Sequence, residues 1–120
     1  MTKQTDAILI LDDEFMVGLA LAEELQATGF EVVGPFASAK DADAALDQRL
    51  PDAAILDFNL GEGDTSEQLA QKLASLGVPF LFLTGYSSLS FDDEALTRVP
   101  QLGKPVDPAI ASAELRRLIA

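Results

Sequence analysis

Three apolar runs in this chain lead into residues suited to phosphoryl chemistry. Ile8-Leu9-Ile10-Leu11 leads into Asp12-Asp13, Ala53-Ala54-Ile55-Leu56 into Asp57, and Phe80-Leu81-Phe82-Leu83 into Thr84. A fourth short segment ends in Lys104-Pro105. A carboxylate at the exit of a buried strand is costly to desolvate unless something beyond the strand end uses it. Two carboxylates about 4 Å apart repel by roughly 4 kcal/mol at an effective dielectric of about 20. Three such groups therefore call for a compensating cation. Mg²⁺ suits a few carboxylates plus a carbonyl and water, with Mn²⁺ as the alternative. Asp57 then has one oxygen for the metal and one free to attack phosphorus. The metal, Lys104 and the Thr84 hydroxyl are suited to hold the phosphoryl oxygens as charge spreads over them, and Gly85 leaves space beside them.

Taken singly, each residue has a plainer explanation. Asp12-Asp13 suits the first turn of a helix through capping and the macrodipole, and Glu14 is better explained that way than by chemistry. Asp57 alone would cap a loop, Thr84 alone would be structural, Lys104 alone a solvated charge and Gly85 alone a turn. The case for a site rests on placing them together at one edge of one sheet.

The elements that would do so alternate along the chain. Residues 7–11 read as a buried strand, followed by a helix over 14–28 with Val17, Leu21 and Leu25 on one stripe and Gly29 as its stop. A second strand covers 31–34. Ser38 with Asp41 three residues on resembles a capping box opening a helix to Leu50. Residues 53–57 form the third strand, and 59–64 a turn-rich loop. Thr65 with Gln68 caps a helix whose Leu69, Leu73 and Leu76 face inward, ended by Gly77. Residues 79–83 form the fourth strand. Between Tyr86 and Thr97 only 91–96 looks helical, after a stretch holding Ser87, Ser88 and Ser90. A fifth strand is expected near 99–103. Asp107-Pro108 opens the last helix, with Ala111, Leu115 and Leu118 inward. Five such units favour an open parallel sheet with helices on both faces. Ligands in such sheets sit beyond the C-terminal strand ends.

Size and composition narrow the alternatives. The 120 residues make one domain, 1–120, and 48% are apolar, enough for a full core. No apolar run approaches the roughly 20 residues of a membrane span, and the N-terminus lacks signal-peptide character. A cytoplasmic protein with no membrane partner is expected. Twenty acidic residues against eight basic ones give a formal net charge of −12, which disfavours nucleic acid as a partner. Without cysteine, thiol catalysis and thiolate metal sites are excluded; without histidine, so are a histidine base, ligand or phosphohistidine within the chain.

With Ile8-Leu9-Ile10-Leu11-Asp12-Asp13-Glu14, Ile55-Leu56-Asp57-Phe58-Asn59-Leu60, Leu83-Thr84-Gly85 and Gly103-Lys104-Pro105, the chain resembles the receiver domain of two-component response regulators over essentially its whole length. The resemblance implies an α/β, flavodoxin-like (βα)5 doubly wound parallel sheet of strand order 2-1-3-4-5. It implies phosphorylation of Asp57 by a phosphohistidine on a sensor histidine kinase or a histidine phosphotransfer protein. Mg²⁺ would be held by Asp13, Asp57 and the Asn59 backbone carbonyl, with Asp12 acting mostly through water. Thr84 would turn toward the phosphoryl group and Lys104 would pair with it. The Lys104–Pro105 peptide would be cis, and Asn59 and Tyr86 would tune hydrolysis of the acyl phosphate.

Pro79-Phe80-Leu81-Phe82-Leu83-Thr84-Gly85-Tyr86, with the Asn59-Leu60-Gly61-Glu62 loop, is also similar to stand-alone FATGUY-type receivers, which partner kinases of the HWE and related classes. Leu83 stands where that motif has alanine. Receivers usually carry an aromatic switch three residues before the lysine, where this chain has Gln101. Tyr86, the single tyrosine, either takes part of that role or covers the segment after it. The expected function is a single-domain response regulator without an output domain. It would catalyse its own phosphorylation and slow dephosphorylation, with output through a downstream protein. The rival is a phosphorylation-independent receiver-like binding module. A phospho-aspartyl hydrolase would need a second acid where Asn59 stands.

Overall fold

In a computed structural model the described residues are 5–61, 63–85 and 94–120. The elements run β1 (Ala7–Leu11), α1 (Phe15–Ala27), β2 (Glu31–Phe36), α2 (Ala39–Gln48), β3 (Ala53–Asp57), β4 (Asn59–Gly61) and β5 (Asp64–Thr65). Then follow α3 (Glu67–Ser75), β6 (Phe80–Thr84), α4 (Glu94–Thr97), β7 (Gln101–Gly103) and α5 (Pro108–Ile119). The main sheet is parallel, in the order β2-β1-β3-β6-β7, which is the expected 2-1-3-4-5 once its own five strands are counted.

Alternation along the central strands divides the core in two. Leu9, Leu11, Ala54, Leu56, Phe80 and Phe82 point to one face, where α2 and α3 supply Ala42, Leu46, Leu69 and Leu73. Ile8, Ile10, Ile55, Leu81 and Leu83 point to the other, against Leu21 and Leu25 of α1 and Ala111 and Leu115 of α5. Both faces of β1, β3 and β6 are therefore covered, as a near-continuous apolar strand requires. Each buried leucine or isoleucine contributes about 1.5–3 kcal/mol of transfer free energy.

Several boundaries differ from the sequence reading. The expected loop at 59–64 is part of an antiparallel hairpin, β4 on β5, pairing Asn59 with Thr65 and Gly61 with Asp64. Gly61 and Gly63 both take positive φ, 85° and 81°, which lets the chain reverse so tightly. The N-cap position of the helix after it falls on Ser66, whose side chain makes no cap bond, while the Thr65 hydroxyl accepts from the Glu67 N–H at 3.3 Å. α2 ends at Gln48, short of Leu50, although Ser38 accepts from the Asp41 N–H as expected. β2 extends to Phe36 with a register shift opposite Leu9 and Leu11. β6 runs one residue later than expected, so Thr84 is its last residue. Asp107 caps α5 through the Ala109 N–H, with Pro108 in the first turn. Tyr86, the serines after it and most of the 91–96 helix expectation lie outside the described residues; α4 carries its end, with Leu96 buried.

Candidate functional site

Three neighbouring strands deliver the polar residues to one edge. β1 leads into Asp12, and β3 and β6 end in Asp57 and Thr84; all three residues are buried. Asp57 lies opposite Leu83 in the ladder, and Thr84 opposite Gly103, which places Lys104 one residue past the edge strand. The Lys104 backbone N–H donates to the Thr84 carbonyl at 2.8 Å, and the Lys104–Pro105 peptide is cis, as expected. The loop so fixed sends the amine back across the strand ends.

The Lys104 ammonium donates to Asp57 Oδ2 at 3.1 Å, Asp12 Oδ1 at 3.3 Å and Glu14 Oε1 at 2.5 Å. Carboxylate oxygens of Asp12, Asp13, Glu14 and Asp57 all lie within 4.8 Å of one another. Four acids therefore face one amine. Burial, and then the Asp12 charge, push Asp57 up to about 7, against the pull of Lys104. Burial alone would lower Lys104, but its bonds to Glu14 and Asp57 and the Asp12 charge raise it, so it stays an ammonium.

A cleft of about 330 Å³ opens over this cluster, lined by Asp13, Glu14, Asp57, Asn59, Gly61, Gly85 and Lys104. The β4–β5 hairpin forms one wall. Asn59 Oδ1 accepts from the Gly61 N–H at 3.1 Å, so its side chain is turned to the hairpin. A Cβ at Gly61 would come within 3.4 Å of Asp13 Oδ2. The donor set fits a hard divalent cation: oxygen ligands only, an excess of negative charge, and an oxygen in want of a partner. That oxygen is Asp12 Oδ2, buried with an ion-pair contact to Lys104 Nζ at 3.2 Å but no hydrogen bond.

Asp12, Asp13, Asp57, Asn59, Thr84, Gly85 and Lys104 thus gather at one edge. Pro105 follows Lys104 and lines a neighbouring hollow that shares Glu14, Gly85 and Lys104 with the cleft, and Gln101 lies on β7 opposite Phe82, half-buried, on the strand that leads to the amine. Tyr86 is outside the described residues. Glu14 corrects the sequence reading. It occupies the N-cap of α1 but makes no side-chain cap bond, and its carboxylate is on Lys104 instead. An acid just before a helix reads as a cap; only the fold reveals a partner 90 positions away.

SdrG from Sphingomonas melonis Fr1 is 32% identical, with 99% of this chain and 100% of that one aligned at a TM-score of 0.80. The CheY-like response regulator receiver domain protein from Methanospirillum hungatei JF-1 is 25% identical over 97% and 94% of the two chains, at a TM-score of 0.84. The chain belongs to the response regulator receiver domains. The transcriptional regulatory protein PdtaR of Mycobacterium tuberculosis is 26% identical over 88 residues; the match covers 73% of this receiver but 43% of that protein's length. No protein-family profile matches the chain. Receiver domains are signalling proteins that bind Mg²⁺ and interact with histidine kinases or phosphotransfer proteins. Among the described residues no helix of this receiver is long and apolar enough to cross a membrane.

Proposed function

We propose that this receiver accepts a phosphoryl group on Asp57 from a partner's phosphohistidine and signals through protein contact, as a single-domain response regulator. One observation carries the reading: the amine of Lys104 sits within 3.3 Å of both Asp12 and Asp57, with Asp13 in the same cluster. Asp13, Asp57 and the Asn59 carbonyl would hold Mg²⁺, or Mn²⁺ in its place, with Asp12 acting through water. The cation would neutralise the acids, bring Asp57 down to a free carboxylate and offset charge on the transferred group.

In the transfer, an Asp57 carboxylate oxygen forms a bond to phosphorus as the phosphorus–nitrogen bond breaks, and the imidazole leaves with the electron pair. Lys104 supplies a fixed positive charge to a phosphoryl oxygen, and Thr84 a hydroxyl hydrogen bond. Hydrolysis of the acyl phosphate would return Asp57 slowly, at a rate set by Asn59 and Tyr86. The chain contains no histidine, so the donor imidazole belongs to the partner. At the start of α1, directly after Glu14, Phe15 and Met16 expose 71% each, apolar surface that a protein partner would cover. The similarity to FATGUY-type receivers points to a kinase of the HWE or related class, in the cytoplasm.

Radiolabel from a cognate kinase, or from acetyl phosphate, should appear on the protein only with Mg²⁺ and disappear in Asp57→Asn. Label retained at the unsubstituted level in that variant contradicts the assignment. A second reading, a binding module that works without phosphorylation, draws on Gln101, which stands where receivers usually carry their aromatic switch. It predicts the same partner affinity with and without phosphodonor.

A further inference from the structure

Helix capping does not account for the placement of Glu14. At an N-cap, an acid ordinarily accepts from the first free backbone N–H groups of the helix. Glu14 makes no such bond, and its Oε1 lies 2.5 Å from Lys104 Nζ. A lysine ammonium has three N–H donors and no acceptor. Asp57, Asp12 and Glu14 take all three, at 3.1, 3.3 and 2.5 Å. Phosphorylation turns the Asp57 carboxylate into an uncharged acyl group, so the phosphoryl oxygens then compete for this amine with the two acids that remain, Asp12 and Glu14.

Those two are not equally free to let go. The Asp12 and Asp57 side chains are 0% and 5% exposed, and Asp12 Oδ1 is also held by the Glu14 backbone N–H at 2.9 Å. Glu14 has 59% of its side chain exposed, on a stem with two methylenes. Water can take over its carboxylate at little cost. Glu14 is thus the member of the set that can exchange.

We propose that Glu14 is an exchangeable latch: its carboxylate holds the Lys104 amine at the cleft before phosphorylation and yields that place to a phosphoryl oxygen afterwards. The inference rests on the phosphoryl-acceptor reading and adds a positioning residue to it. Because the latch competes with the phosphoryl oxygens for the amine, it opposes the phosphorylated form, and its strength sets how far phosphorylation shifts the domain.

Beryllofluoride, a phosphoryl mimic on aspartate, tests this by calorimetric titration at saturating Mg²⁺ into the unsubstituted protein, Glu14→Gln and Glu14→Asp. Glutamine keeps the reach and removes the charge. Aspartate keeps the charge, is one methylene shorter and is a favoured N-cap, so it turns to α1. Both variants should bind about two- to five-fold more tightly, the worth of a part-exposed ion pair. The nitrogen resonance of the Lys104 side chain should also move in both, before any beryllofluoride is added. No gain in Glu14→Asp overturns the latch, even if Glu14→Gln tightens, since that result is a through-space charge effect. An unsubstituted protein that binds no beryllofluoride brings down the phosphoryl-acceptor reading itself, and the latch with it.

Discussion

The three central strands and the edge strand β7 contribute to the same site in different ways. β1, β3 and β6 are buried at every residue, and the acids and hydroxyl at their ends are held by two packed faces. β7 is three residues long and half-exposed, and the amine it presents is fixed mainly by one backbone bond and three ion pairs. The molecule keeps its acids on a rigid platform and its lysine on an adjustable arm. That division suits the proposed function, in which Asp57 stays in place while a neighbouring contact changes.

Cutting into the platform should have the largest effect. Leu56→Ala empties a fully buried position beside Asp57 and should cost about 2–5 kcal/mol in denaturant unfolding. Leu102→Ala on the edge strand removes a half-buried side chain and should cost roughly 1–2 kcal/mol. Equal losses at the two positions would erase the distinction between platform and arm.

The next effect comes from Asp57 itself. Its carboxyl is raised from 3.8 to about 7 in the metal-free protein, chiefly by burial and then by Asp12. Folding therefore favours the protonated acid. The stability from that proton is fully present below the unfolded value and is lost as pH rises through about 7. Lys104, raised from 10.5, keeps its contribution throughout this window and does not mask the effect. The metal-free protein should lose roughly 1–3 kcal/mol between about pH 5 and about pH 8. Asp57→Asn should flatten the curve, as should saturating Mg²⁺. A curve that keeps its slope in Asp57→Asn would place the titrating group elsewhere.

The smallest change in stability is expected for the arm. With Mg²⁺ present, Lys104→Ala should alter unfolding by less than about 1 kcal/mol while abolishing the gain in partner affinity on phosphorylation. Equal gains in variant and unsubstituted protein, measured by calorimetry against the cognate partner, would show that the amine does not couple the phosphate to the response.

The same division explains what was legible in the sequence. The platform was readable because each central strand is a short apolar run leading into an acid or hydroxyl at Asp12, Asp57 or Thr84, a pattern that burial makes costly without a use. Asp107-Pro108 and Ser38 signalled their helices because capping is a local interaction. The hairpin at Asn59–Gly61 and Asp64–Thr65 was hidden, since two glycines and an acid read as a loop and the pairing depends on positive φ at Gly61 and Gly63. At α3 the ladder between Asn59 and Thr65 moves the N-cap position to Ser66, while the Thr65 hydroxyl still accepts from the Glu67 N–H. Glu14 was hidden because its partner comes from the far end of the chain, and local rules assign it to the helix it precedes.

The proposed function depends on Asp12, Asp13 and Asp57 converging on one divalent cation. Its most direct test is a Mg²⁺ titration followed at the backbone amide resonances of Asp13, Asp57 and Asn59, in the unsubstituted protein and in Asp13→Asn. Saturable shifts concentrated at those three residues, and strongly weakened in Asp13→Asn, are expected. Shifts scattered over the acidic surface, or a titration unchanged by that substitution, would contradict it.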